Sequence, residues 1–233
     1  MNDGYGVAPI PVGALGTDAR VRFIRRTYGH LLAAIVGFVA LEVLFFSTGI
    51  SLSILETVAN VNWLLILGAF MIVGTLASRT AARARTTGAQ YAALAAYVVA
   101  EAVIFVPLLY LANYYADGAI ASAAVVTLLG TAALTGIAAT SKRDFSFMRQ
   151  LLVWVGVVAV IAIVASVLFG LQLGTWFSVA MVAFAGGMIL YTTSNVLRHY
   201  PEDRYVSAAL ELFASVALMF WYVLRLLSAL SRD

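Results

Sequence analysis

Seven stretches of this chain are apolar almost without interruption: residues 28–48, 61–77, 89–111, 118–140, 151–170, 175–197 and 206–230. Each comes near the ~20 residues that a helix needs to cross the hydrocarbon of a bilayer. The second stretch is the shortest. The pattern predicts an all-α membrane protein with seven transmembrane helices in one domain, residues 28–233. The preceding residues, 1–27, carry Gly4, Gly6, Pro9, Pro11 and Gly13 and read as a flexible tail with a basic amphipathic end. Thr17 or Asp18 stands where it can cap a short basic helix leading into the membrane.

Composition agrees with the pattern: 63% of residues are hydrophobic, 11% are charged, and the mean hydropathy is +0.98. The lipid bilayer is therefore the first partner. The placement of charge adds an orientation. Twelve of the fourteen basic residues precede the first span or lie between spans two and three, four and five, and six and seven. The connections 49–60, 113–117 and 171–174 hold none. Because cytoplasmic loops accumulate Lys and Arg, the expected topology has a cytoplasmic N-terminus and an external C-terminus in a bacterial inner membrane. The basic residues sit at helix ends rather than on one face, so nucleic-acid binding finds no support.

Three acids break the apolar runs. Glu101 and Glu211 lie deep inside them, and Glu42 lies towards the far end of the first. An acid in such a place must be protonated, paired or turned towards a wet cavity. The last helix carries the clearest pattern. At 100° per residue, Ser207, Glu211, Ser215, Tyr222 and Arg225 fall within an arc of ~80°, with Leu218 the apolar member of the stripe. That face avoids lipid, either by lining a hydrated path or by bonding to neighbouring helices. Arg225 by itself reads as an interfacial anchor. Glu101 is six residues before Pro107, whose ring frees the carbonyl of Val103. Freed carbonyl and carboxylate oxygens suit a hard cation, but the two residues lie ~200° apart around the helix. A protonated Glu101 bonded to a neighbour, with Pro107 a simple kink, is the alternative.

Other chemistry is scarce. The chain has no cysteine, and its single lysine, Lys142, falls in a loop, so the last helix cannot form a retinal Schiff base. His30 and His199 lack metal-ligand spacing, and no phosphate-binding or nucleophile motif occurs. Neither a chemical enzyme nor a bound cofactor is expected. Gly130, Thr131, Thr135 and Gly136 suit close helix packing.

Two regions then suggest a family. One is Thr140-Ser-Lys-Arg-Asp-Phe-Ser-Phe-Met148, whose Lys142, Arg143, Asp144, Ser146 and Phe147 form a basic-Asp-x-Ser-Phe element. The other runs from Ile189-Leu-Tyr-Thr-Thr-Ser-Asn-Val196, which contains Asn195, through Pro201-Glu-Asp203 and Ala209-Leu-Glu-Leu-Phe213 to Tyr222-Val-Leu-Arg-Leu-Leu227. With seven spans of this spacing, the chain resembles the Bax inhibitor-1/YccA family from about residue 28 onward. The resemblance implies six helices packed around a central seventh. It also implies either a pH-sensitive calcium leak or, for bacterial members, modulation of a membrane-anchored AAA protease. In leak-type members two carboxylates, one on each of the last two helices, share a proton and gate the path. Those positions fall at Thr192 and Ser215, and neither is acidic. Glu211, one turn (~6 Å) before Ser215 on the same face, and Glu101 on another helix then pose a choice between a relocated gate and a non-conducting scaffold.

Overall fold

The structure, a computed structural model, describes residues 10–84, 86–141 and 143–231. Its helices are α1 (Thr17–Thr48), α2 (Ile50–Ala59), α3 (Trp63–Arg83), α4 (Thr87–Tyr115), α5 (Ala119–Thr140), α6 (Met148–Phe169), α7 (Thr175–Arg198) and α8 (Tyr205–Leu230). All but α2 are long and apolar enough to cross a membrane. The fold is therefore the expected all-α bundle with seven spanning helices.

Helix ends depart from the apolar runs in an orderly way. Hydropathy delimits the part of a helix that meets lipid, whereas the backbone continues helical wherever its hydrogen bonds can. Thus α1 begins at Thr17 and carries the basic stretch as its first turns, and α3 runs on to Arg83, leaving a short link before α4. The Oδ1 of Asn62 accepts the amide of Leu64 at 2.9 Å and caps α3. Residues 49–60, read as a plain connection, contain α2. At ten residues it is ~15 Å long, half of what a bilayer requires. Gly49, at φ 80°, adopts the left-handed conformation that separates α1 from α2.

The expectation of a flexible tail to residue 27 is corrected for its described part, from Ile10 onward. Ahead of α1, residues Val12–Ala14 form a 3₁₀ turn that docks on the α7–α8 junction. Val12 is fully buried, its amide donates to the carbonyl of Tyr200 at 2.8 Å, and Pro11 forms an antiparallel bridge with Pro201. The partner of this turn, Tyr200, lies far along the chain, so local composition could not reveal it.

Helix α8 is the centre of the bundle and packs on α1, α3, α4, α5 and α7, while α6 packs mainly on α7. Aromatic rings lock the core. Phe105 stacks on Phe220 at 5.5 Å and meets Trp221 edge-on at 5.0 Å, and Phe38 meets Phe105 at 5.1 Å. Close approach of α5 to α8 occurs at Gly130, where a Cβ would stand 3.1 Å from the methyl of Met219; Gly136 has open space instead.

The helix ends bearing the basic residues meet at one end of the bundle. The Arg204 guanidinium donates to the carbonyls of Ala81 and Ala84, joining α8 to the end of α3. Gln90 of α4 donates to Asp203 O at 3.3 Å, and Arg26 of α1 lies over the Tyr205 ring at 5.4 Å.

Candidate functional site

A cavity of about 680 Å³ is lined by α3, α4, α6, α7 and α8. Its α8 wall presents Glu211, Ser215, Leu218, Tyr222 and Arg225. These are the residues from Glu211 onward that 100° spacing places in one stripe, so this part of the stripe faces the cavity rather than lipid. Glu211 to Arg225 spans ~21 Å of helix, about two thirds of the hydrocarbon thickness. Helix α4 contributes Tyr97 and Glu101, and α7 contributes Tyr191 and Thr192. Both deep acids therefore look into the same space from different helices.

Each acid has a tyrosine partner. Glu101 is only 5% exposed, and the hydroxyl of Tyr97, one turn earlier on α4, donates to it. Glu211 is half-buried and receives the hydroxyl of Tyr200, which also bonds with Ser207. Burial first, and then the nearby Glu211 carboxyl, pushes the Tyr200 hydroxyl up, so it remains a donor. Tyr97 could have been found from its i−4 spacing to Glu101. Tyr200 could not, because a loop brings it under α8.

The two positions that the family resemblance marks for carboxylates do meet. Thr192 Oγ1 and Ser215 Oγ lie 3.3 Å apart, both buried, and Ser215 also donates to the carbonyl of Glu211 at 2.9 Å. At the other end of the cavity, Arg225 donates to Leu173 O at 3.1 Å and lies 6.0 Å from the Phe177 ring. It tethers the α6–α7 connection at the cavity mouth, a more specific task than anchoring at the interface.

The remaining sequence candidates lie elsewhere. Ser207 is buried beneath Glu211, beside Tyr200. Asn195 is half-buried on α7, three residues past Thr192 towards the basic end. Glu42 faces a separate cavity. Lys142 falls outside the described residues. The rest of its loop is a latch rather than a pore element. Asp144 Oδ1 accepts the amide of Ser146 at 2.9 Å, and Oδ2 is 3.3 Å from His199 Nε2. Ser194 of α7 accepts the Phe145 amide at 3.2 Å, and Arg198 reaches back to the carbonyls of Ser141 and Arg143 at 2.9 and 3.0 Å. The Ser146 amide above all, then His199 and Arg198, holds the Asp144 carboxyl below the usual carboxylate range. Phe147 is exposed, its ring tilted against Phe145.

Comparison with known proteins places this arrangement. The family described as inhibitor of apoptosis-promoting Bax1 matches residues 20–232. The chain belongs to the Bax1-I family. Among curated relatives, the modulator of FtsH protease YccA from Escherichia coli K12 is 29% identical over 126 residues, covering 52% of this chain and 57% of that protein. A membrane protein of Vibrio cholerae is 29% identical over 128 residues, 52% of this chain and 56% of its own length. A Pseudomonas aeruginosa protein is 30% identical over 128 residues, covering 54% and 56%. The chain thus spans about half the length of the curated relatives it matches. In this chain α8 is central and positions 192 and 215 meet, while its acids stand at Glu101 and Glu211.

Proposed function

We propose that this Bax1-I protein is a proton-sensitive cation leak of the inner membrane, with calcium as the permeant ion of first interest. Glu211 acts as gate and Glu101 lines the path. The observation that carries this reading is the convergence of Glu101 from α4 and Glu211 from α8 on one cavity roofed by the α6–α7 connection. With the basic end cytoplasmic by the positive-inside rule, the α6–α7 connection lies at the external end of the cavity. Tyr200, Ser207 and the docked Val12 turn lie beyond Glu211 at the basic end. The Thr192–Ser215 bond stands at the place of the family's acidic pair. The groups that set the gate's protonation are Tyr97 beside Glu101, Tyr200 beside Glu211, and Tyr191, Tyr222 and Arg225 along the same walls. Calcium-dye-loaded liposomes containing the purified protein test the reading. Flux that changes with pH in the wild type, and changes less in Glu211→Gln and Glu101→Gln, is expected. Flux identical in all three removes the acids from the mechanism.

A second reading is a non-conducting modulator of a membrane-anchored AAA protease. It is favoured by the Escherichia coli relative's name and by hydroxyls, not acids, at 192 and 215. Arg20, Arg22, Arg25 and Arg26 project exposed from the first turns of α1 and offer an acidic partner a surface. Charge reversal of Arg20, Arg22 and Arg25 abolishes co-purification with such a protease if this reading holds, and leaves liposome flux intact if the leak does.

A further inference from the structure

A second cavity, of about 620 Å³, lies between α1, α4 and α5 beside Phe220 of α8. It is distinct from the acid-lined cavity. Phe220 lines the second and Phe105 and Trp221 line the first, and the stacked Phe105–Phe220 pair forms part of the wall between them. Glu42 of α1 faces into this second space and is only 7% exposed. Neither of its carboxyl oxygens meets a hydrogen-bond partner among the described residues. Glu101 and Glu211, in the first cavity, each have a tyrosine beside them; Glu42 has none. The walls beside it are the rings of Phe38, Phe46 and Phe220, and the rim carries Asn113 and Asp117, both exposed.

This chemistry selects its ligand. A bare divalent cation wants six to eight oxygen ligands. Among the described residues no group of three His, Cys, Asp or Glu gathers to hold one, and the walls are mostly hydrocarbon. An organic cation is different. Its positive centre needs one carboxylate, its body gains from apolar surface, and aromatic faces attract it through their quadrupoles. A volume of this size holds a drug-sized molecule. Asp117 at the rim adds a negative field that draws such a cation towards the opening.

We infer that this second cavity binds an amphipathic organic cation, with its positive centre against the Glu42 carboxylate and its apolar body among Phe38, Phe46 and Phe220. The site is independent of the leak reading, because none of its residues lines the first cavity.

Equilibrium dialysis of tritiated tetraphenylphosphonium against the detergent-solubilised full chain tests it. The wild type is expected to bind saturably, and triphenylphosphine oxide, similar in its rings but neutral, to compete at least tenfold less well. Glu42→Gln, nearly isosteric, is expected to weaken binding tenfold or more, and Phe46→Leu several-fold. Glu211→Gln, in the other cavity, is expected to stay within twofold of wild type. Size-exclusion profile and melting temperature check that each variant is folded; the wall variant Phe46→Leu carries the test should Glu42→Gln not fold. The inference is overturned by the absence of saturable binding, by equal competition from the neutral compound, by wild-type affinity in both cavity variants, or by loss of binding in Glu211→Gln instead.

Discussion

Replacing Gly13 by alanine tests how the N-terminal turn closes the basic end of the bundle. A Cβ at residue 13 would stand 2.8 Å from the carbonyl oxygen of Arg198 and 3.3 Å from its Cα. Both atoms belong to the backbone of the last turn of α7, which is tied to the neighbouring loop by the Arg198 and Ser194 hydrogen bonds. The lighter partner must move, so the turn lifts. Lifting exposes Val12, whose full burial at this water-facing end contributes about 1.5–3 kcal/mol. It also breaks the 2.8 Å bond from the Val12 amide to Tyr200 O, worth about 0.5–1.5 kcal/mol net. Together these amount to roughly 2–4.5 kcal/mol, equivalent to a shift of about 30- to 1,600-fold from docked to undocked turn. Hydrogen exchange of the segment that includes Val12, with the protein in nanodiscs, reads this directly. Protection at residues 10–16 is expected to fall by that factor while α4 and the centre of α8 keep theirs. Unchanged protection of Val12 would refute the docking argument, and an equal loss across α8 would show a global rather than a local effect.

Other substitutions separate the parts of the molecule. Gly130→Ala presents a Cβ 3.1 Å from the Met219 methyl. Because a flexible methionine tip can yield where the α7 backbone cannot, the expected stability loss is below about 1 kcal/mol in thermal unfolding. Asp144→Asn keeps an oxygen that accepts the Ser146 amide but removes the charge facing His199 and Arg198, so it weakens the latch between the α5–α6 loop and α7 by less than about 1 kcal/mol. The Asp144 carboxyl is held below its ordinary value, so its contribution is complete above the unfolded pKa of about 4 and fades as pH falls through the lower folded value. The melting-temperature gap between wild type and Asp144→Asn should therefore narrow below about pH 4; a gap that widens on acidification contradicts the assignment. The double variant Thr192→Asp, Ser215→Asp places two carboxyl groups where hydroxyls now meet at 3.3 Å. Two such groups share one proton, and liposome flux should acquire an added pH dependence that neither single variant shows.

Much of the bundle was legible along the chain. Seven spans follow from apolar runs, because a helix in hydrocarbon must satisfy its backbone internally and so declares itself by length and composition. The α8 stripe was legible for a related reason: Ser207, Glu211, Ser215, Tyr222 and Arg225 recur at helical spacing, and a face that polar cannot sit against lipid. The tail and α2 were misread. Val12 and Gly13 look like linker residues locally, and only the Tyr200 and Arg198 backbones, nearly two hundred residues on, turn them into a docked plug. The Asp144 element was visible as a motif but not as a latch, since its partners, Ser194, Arg198 and His199, come from another helix and its end.

By itself the sequence determined the class of solvent, the number of spans and the polar face of the last helix, since each follows from short-range periodicity and the cost of polar groups in lipid. Only the tertiary structure decided which acids share a space. Glu101 and Glu211 open on one cavity and have their tyrosines, while Glu42, another acid of an apolar run, lines a different cavity with no hydrogen-bond partner among the described residues. Which cavity a side chain enters depends on how neighbouring helices are rotated and packed, and that is a property of contacts between residues far apart in the chain.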